Sequence, residues 1–237
     1  MYLLLFDIDG TLIHSNRAGR LTLQRTLEEL FETAGPIDDY SMAGKTDPMI
    51  ISDLLQAAGI ARREVENRMD EIYERMAAHG PTLFAERGIR PCSGVPELLA
   101  ALRARDDVVL GLVTGNIHTT APLKLAAAGI DPDQFLVGAF GSDASDRNLL
   151  PALAMERAGT LHEWLFEGQH TVVIGDTPAD ILCARAAGAT AVAVASGGYS
   201  AKTLAQYSPD HLLQDLTDTN AVLDILLATE RETHNGY

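Results

Sequence analysis

The sequence predicts an α/β fold, a doubly wound parallel sheet with a small all-helical insert after the first strand, and three observations carry that expectation. Short apolar runs recur at Leu3–Phe6, Val108–Val113 and Thr171–Ile174, each the length of a strand buried on both faces. Helical spacing fills the intervals after residue 88, the alternation that builds parallel sheets. Between residues 14 and 88, by contrast, no segment reads as a parallel-sheet strand, so that block is expected to be helical throughout.

Taken in order, Leu3–Phe6 opens directly into Asp7-Ile8-Asp9-Gly10-Thr11, where Gly10 permits the tight turn that follows. Helical spacing then puts Leu21, Leu23, Leu27, Leu30 and Phe31 on one side and Arg20, Gln24, Arg25, Glu28 and Glu29 mostly on the other. Gly35-Pro36 stops that helix, and a loop runs through Asp38, Asp39 and Tyr40 to Ala43-Gly44-Lys45-Thr46-Asp47-Pro48. A second helix is expected from Pro48 to Ala58, with Pro48 in its first turn and Thr46 or Asp47 as cap. Gly59 ends it. Residues 61–79 give a charged helix with Val65, Met69, Ile72 and Met76 as its apolar stripe.

From Gly88 the alternation returns. A helix Val95–Arg105 precedes the strand Val108–Val113, which ends at Thr114-Gly115-Asn116. A helix Thr119–Ala128 stops at Gly129, and a strand Phe135–Ala139 and a helix Leu149–Ala158, with Pro151 near its first turn, come next. The strand Thr171–Ile174 ends in Gly175-Asp176-Thr177-Pro178-Ala179-Asp180, and a helix Ala179–Ala187 closes at Gly188. The strand Ala191–Val194 leads into Ser196-Gly197-Gly198-Tyr199, followed by an edge strand Asp210–Leu213 and a last helix Leu216–Ala228. Thr229–Tyr237 reads as polar and frayed. The expected division is a core of residues 1–13 and 89–237 and an insert of residues 14–88.

Hydrophobic residues at 46% and charged residues at 22% are ordinary globular values. No stretch approaches the ~20 apolar residues that a membrane helix needs, so no membrane partner is expected. A net charge of −15 argues against a nucleic-acid partner. An acidic protein still takes a phosphate ester where a divalent ion and a local cation reverse the field. Cys92 and Cys183 match neither zinc spacing nor a disulfide framework and read as small buried hydrophobes. Met1 runs into the first strand with no basic n-region or cleavage site, which makes the cytoplasm the expected location.

Right-handed crossovers bring the carboxyl ends of parallel strands to one edge, where open α/β sheets bind ligands. Asp7 and Asp9, Thr114 and Asn116, and Asp176 and Asp180 all follow such strands, so three distant regions converge on one crevice. Asp7 and Asp9, two residues apart on an extended chain, point the same way.

Asp7-Ile8-Asp9-Gly10-Thr11 resembles the first motif of the haloacid dehalogenase superfamily, in its phosphatase branch. The resemblance implies a Rossmann-like core with a small helical cap, Asp7 as the nucleophile that takes the phosphoryl group, and Asp9 as general acid and base. Val113-Thr114-Gly115-Asn116 resembles the second motif, whose hydroxyl and adjacent backbone amides, here at Thr114, Gly115 and Asn116, bind phosphoryl oxygens. Ile174–Asp180 resembles the fourth, which implies a Mg²⁺ held by Asp176, the Asp7 carboxylate and the Asp9 backbone carbonyl, with Asp180 organising ligands or waters. Mg²⁺ suits such a set, since it prefers oxygen ligands at about 2.0–2.1 Å and keeps waters while binding a substrate phosphate.

The third motif departs from the family pattern, because its usual Lys-Pro pair is missing. The segment Ser145-Asp146-Arg147-Asn148-Leu149-Leu150-Pro151 offers Arg147 instead, whose fork binds carboxylate and phosphate oxygens bidentately. Lys124 is the rival, but it falls inside the preceding helix, where a solvated role is expected. Gly44-Lys45-Thr46 is not a P-loop, because Asp39 stands where that pattern needs glycine. Within the resemblance this segment looks like the cap loop that reaches over the site, with Lys45 and Thr46 on the substrate side and Lys45 meeting an anionic leaving group. His14 receives no role and Trp164 is read as packing.

The resemblance therefore implies a Mg²⁺-dependent phosphatase for a small phosphorylated metabolite, acting through an aspartyl phosphate, similar to the phosphoglycolate phosphatase and β-phosphoglucomutase branch. Dehalogenases and phosphonatases of the superfamily lack the second acid, so Asp9 argues against both. A hexose-phosphate mutase is the alternative within enzymes, and the irregular third motif leaves a catalytically silent binding protein on the same fold as a further reading.

Overall fold

The computed structural model describes residues 1–227. The first strand forms where the apolar run stands: β1 (Tyr2–Phe6) buries Leu3, Leu4, Leu5 and Phe6 completely. There follow β2 (Ile13–His14), α1 (Ala18–Phe31), α2 (Asp47–Ala57), α3 (Arg62–Asn67), α4 (Met69–Arg87), β3 (Arg90–Pro91), α5 (Val95–Arg103), β4 (Val108–Thr114) and α6 (Ala121–Ala127). The chain continues through β5 (Val137–Phe140), α7 (Leu150–His162), β6 (Thr171–Gly175), α8 (Pro178–Ala186), β7 (Thr190–Val194), α9 (Ala201–Ala205), β8 (His211–Leu213) and α10 (Thr219–Leu226).

Six strands form one sheet in the order β5-β4-β1-β6-β7-β8, and every neighbouring pair is parallel. This is the expected doubly wound architecture. From β1 the chain winds outward through β4 and β5, then returns to β6 on the other flank of β1 and winds the opposite way. The switch point, where ligands bind in open α/β sheets, thus lies at the carboxyl ends of β1 and β6. Side chains alternate across β1: Leu4 and Phe6 join a core with α5, α6 and α10 on one face, while Leu3 and Leu5 join a core with α7 and α8 on the other.

Helices α1 to α4 all fall between β1 and β4 and share a third core, which includes Leu23, Leu27, Ile51, Leu54, Val65, Ile72 and Met76. Where the chain leaves the sheet and returns to it, β2 and β3 pair antiparallel, Ile13 with Pro91 and His14 with Arg90. Beside this pair, Asn16 and Arg17 adopt left-handed backbone (φ 47° and 65°), a conformation uncommon outside glycine. Asn16 Nδ2 donates to the carbonyls of Arg87 and Gly88, and Arg87 Nε donates back to the Asn16 carbonyl, so the outgoing and incoming chains are stitched together.

The elements depart from expectation in a few places. The single helix expected over 61–79 is two, broken at Arg68, and α4 runs on through Pro81 to Arg87. An interior proline costs about 3 kcal/mol, but the turns beyond it bury Leu83 and Phe84, each contributing about 1.5–3 kcal/mol, which outweighs the break. The β2–β3 pair is too short to leave a period in the sequence. The strand expected at Phe135 begins at Val137, because Asp131 caps a 3₁₀ turn through Pro132–Gln134 by accepting from the Asp133 amide. Helix α9 starts where the Ser200 hydroxyl accepts from Thr203 N–H. The last helix starts at Thr219 because Asp218 caps it through the Ala221 amide. Ala228 and the expected frayed segment Thr229–Tyr237 lie outside the described residues. Among the described residues, no helix is long and apolar enough to cross a membrane.

Leu54 is fully buried at the centre of the core shared by α1 to α4. Leu54→Ala is expected to lower stability by about 2–5 kcal/mol, read as a lower urea midpoint.

Candidate active site

Asp7 stands one residue past β1 and Asp176 one residue past β6, on either side of the switch point. The Asp7 amide donates to the Ile174 carbonyl at 2.9 Å, which fixes its backbone to the neighbouring strand. Gly10, at φ 93°, turns the chain so closely over Asp176 that a Cβ there would overlap its carboxylate. Carboxylate oxygens of Asp7, Asp176 and Asp180 all lie within 4.8 Å of one another.

This crowding is costly for three anions. Burial, opposed by Arg147 but reinforced by Asp180 and Asp9, raises the Asp7 carboxyl to about 6. Burial, with Asp7 and Asp180 adding to it, raises Asp176 to about 8. Both shifts are what a divalent cation would relieve. The donors are hard oxygens with no sulfur or imidazole among them, so the set fits Mg²⁺ and not zinc. Asp180 divides its oxygens. Oδ2 accepts from the amide and hydroxyl of Thr177 at the start of α8, while Oδ1 accepts from Arg147. The Asp9 side chain stands apart from this cluster.

Arg147 begins a short 3₁₀ turn just before α7, set by Asp146, whose side chain accepts from the Asn148 amide. It is buried (8% exposed), and its Nη2 lies 2.8 Å from Asp7 Oδ1 and 2.5 Å from Asp180 Oδ1. Burial works against its charge, but Asp180 and Asp7 outweigh it and hold the guanidinium firmly protonated. Its Nε–H is buried with no partner, an unsatisfied donor beside the carboxylate cluster.

At the end of β4, the Thr114 hydroxyl accepts from the Asn116 amide at 3.3 Å and from Asn116 Nδ2 at 2.8 Å. Asn116 Nδ2 also donates to Asp9 Oδ2 at 2.7 Å. The Gly115 carbonyl accepts from the Asp47 amide at 2.7 Å, and a Cβ on Gly115 would overlap the Lys45 carbonyl. Lys124 is not the solvated helix residue expected from sequence. It is 6% exposed, and its ammonium lies 2.7 Å from Asp9 Oδ2 and 2.5 Å from Asn116 Oδ1. Burial would raise the Asp9 carboxyl, but the Lys124 charge and the hydrogen bonds from Lys124 and Asn116 leave it below its ordinary value.

The loop from Lys45 to Asp47 reaches the sheet edge in a way that corrects two expectations. Neither Thr46 nor Asp47 caps α2 with its side chain. The Thr46 hydroxyl donates to the Ser145 carbonyl at 2.9 Å and lines no part of the cavity. Asp47 Oδ2 accepts from the Ile117 amide at 3.0 Å, and burial, opposed by Lys124, raises its carboxyl to about 6. The Lys45 ammonium faces the cavity while bonded to the Tyr40 hydroxyl at 2.6 Å, with Asp53 3.5 Å away. His14 lines the same wall. Burial, then Arg90, lowers its pKa.

These groups surround a cavity of about 630 Å³ whose walls come from both the sheet edge and α1 to α2. Lys124, weighed from sequence as the rival of Arg147 but given a solvated role, and Asp47, read as a cap, both line this cavity. For Lys124 a signal existed, since it falls on the buried stripe of α6 with Ala121 and Leu125, where a charge needs a buried partner.

The family model described as haloacid dehalogenase-like hydrolase matches residues 4–194, and the chain belongs to that family. A phosphoglycolate phosphatase of Rhodospirillum rubrum is 29% identical over 208 residues, covering 85% of this chain and 82% of the relative. Pyrophosphatase PpaX of Bacillus pumilus is 26% identical over 234 residues, covering 92% and 94%. Among solved structures, CbbY from Rhodobacter sphaeroides in complex with phosphate superposes with a TM-score of 0.70 at 18% identity, covering 92% of this chain and 96% of that one.

In the metal-free protein Asp7 and Asp176 keep protons that the unfolded chain, with carboxyls near 3.8, has released. Their contribution to stability is therefore fully present below about pH 4 and is lost as pH rises through about 6 and about 8. Bound Mg²⁺ requires them deprotonated. Calorimetric melting is expected to show a larger Mg²⁺-induced rise at about pH 8.5 than at about pH 5.5, and Asp176→Asn should abolish most of that rise.

Proposed function

We propose that the protein is a Mg²⁺-dependent phosphatase that hydrolyses a small phosphorylated metabolite through a phosphorylated Asp7, with residues 14–88 acting as a cap over the cavity. The observation that carries this reading is the meeting of Asp7, Asp176 and Asp180 within 4.8 Å beside a buried arginine with an unsatisfied Nε–H. An acid-rich crevice of that kind repels a phosphate ester until a cation is present, and Arg147 brings one positive charge to the same cluster. The names of the relatives, a phosphoglycolate phosphatase and a pyrophosphatase, support a phosphate-cleaving activity.

Asp7, Asp176 and Asp180, with the Asp9 backbone carbonyl, are the groups that would hold Mg²⁺, which when bound supplies charge neutralisation for the phosphoryl oxygens. Arg147 orients the Asp7 carboxylate and offsets charge on the phosphoryl oxygens. The Thr114 hydroxyl and the Gly115 and Asn116 amides bind these oxygens. In the first step an Asp7 oxygen bonds to phosphorus as the phosphorus–oxygen bond to the leaving group breaks, and Asp9 gives that departing oxygen a proton. Lys124 depresses the Asp9 carboxyl in the absence of substrate, whereas the negative charge of a bound phosphate acts in the opposite direction. In the second step Asp9 takes a proton from water as the water oxygen attacks phosphorus, and Asp7 is released with orthophosphate. Dividing the displacement in two lowers each barrier.

Asp7→Asn is expected to lower turnover of a generic aryl phosphate by about three orders of magnitude or more with Mg²⁺ present, and EDTA should silence the wild type. Near wild-type turnover by that variant would refute the assignment. With a sugar monophosphate as substrate, product analysis should give free sugar and orthophosphate. An isomerised sugar phosphate would mark a mutase instead.

A further inference from the structure

The two buried cations of the site serve different acids. Arg147 is bonded to Asp7 and Asp180, whereas Lys124 forms its one ion pair among the described residues with Asp9. Lysine carries three N–H donors, and two of them are committed, to Asp9 Oδ2 at 2.7 Å and Asn116 Oδ1 at 2.5 Å. Asn116 Nδ2 reaches the same Asp9 Oδ2 at 2.7 Å, so the three side chains close a ring of hydrogen bonds. Both donors take the same oxygen of the carboxylate, Oδ2. A ring of this kind fixes the rotation of the carboxylate as well as its place. A single hydrogen bond would not.

The surroundings are shaped for that ammonium. A Cβ on Gly19 of α1 would lie 3.0 Å from Lys124 Nζ, so a larger residue there would press on it. Lys124 stands on the buried stripe of α6, and its side chain ends at the cavity wall, where an apolar residue of similar length would fill the space without the desolvation that a charge incurs. Packing alone therefore gives no reason for a lysine at this place.

We infer that Lys124 is the positioning residue of the leaving-group side of the site, holding Asp9 through the ring with Asn116 so that its carboxyl faces the departing oxygen. The inference rests on the phosphatase reading. In the step it serves, the phosphorus–oxygen bond breaks, its electron pair goes to the leaving oxygen, and the Asp9 proton moves to that oxygen. Lys124 touches neither substrate nor the reacting atoms.

The test compares two esters, because only a poor leaving group needs that proton. kcat/KM reports the steps up to departure of the leaving group, so it isolates the transfer from hydrolysis of the phosphorylated aspartate. For Lys124→Met, kcat/KM on an alkyl phosphate such as glycerol phosphate is expected to fall about 100-fold, within the range of general-acid contributions. On p-nitrophenyl phosphate, whose leaving group departs unprotonated, it should fall by no more than about 5-fold, well below that range. Lys124→Arg should recover much of the alkyl activity. Crystals of metal-free Lys124→Met should show the Asp9 carboxylate turned away from Asn116. Equal losses on both esters in a folded variant, or an Asp9 carboxylate unmoved in those crystals, overturn the inference while leaving the phosphatase reading intact. Failure of the wild type to hydrolyse either ester with Mg²⁺ overturns that reading, and the inference with it.

Discussion

Mutual repulsion among buried carboxylates is the constraint around which this molecule is arranged. Asp7, Asp176 and Asp180 are each buried, and burial together with their neighbours pushes Asp7 to about 6 and Asp176 to about 8. No packing of apolar side chains would assemble such a group, because isolated carboxylates are driven towards water or towards their neutral form. Backbone geometry assembles it instead. The turn at Gly10 leaves room for Asp176, the ladder between β1 and β6 fixes the base of Asp7, and the first turn of α8 holds one oxygen of Asp180. Arg147 is the counter-ion that makes the arrangement tolerable, and it leaves the cluster with an excess of negative charge.

The sheet topology then divides the polar groups into two sides. Strands β1 and β6 carry the acidic cluster and its arginine, while the end of β4 carries Thr114, Gly115 and Asn116. Asp9 belongs by sequence to the first group but by hydrogen bonding to the second, since Lys124 and Asn116 draw it towards α6. The separation is chemical as well as spatial. One side gathers carboxylates and the buried Arg147, and the other gathers neutral hydrogen-bonding groups and the buried Lys124.

What the sequence disclosed follows from which forces act locally. Strands buried on both faces read as apolar runs, so β1, β4 and β6 and the acidic loops behind them were legible, and with them the convergence of Asp7, Thr114 and Asp176. Alternation of strand and helix was enough to give the parallel sheet. Lys124 was misread because a charge inside a helix was weighed by residue type rather than by its place on the stripe with Ala121 and Leu125. Asp47 and Thr46 were read as local caps because their hydrogen bonds reach Ile117 and Ser145, positions 70 and 99 residues away, which no local rule detects. The break at Arg68 and the passage of α4 through Pro81 were likewise decided by burial in tertiary structure, which overrode propensity.

The short β2–β3 ladder and the stitching of Asn16 to Arg87 bring the departing and returning chain to adjacent points. In topological terms the helices between them are an excursion from a continuous framework, comparable to an enlarged hairpin loop. Such an excursion is free to be lengthened, shortened or exchanged without breaking a strand of the sheet. The wall that α1 and the loop before α2 give to the cavity could therefore be remodelled while the ladder of six strands stays whole.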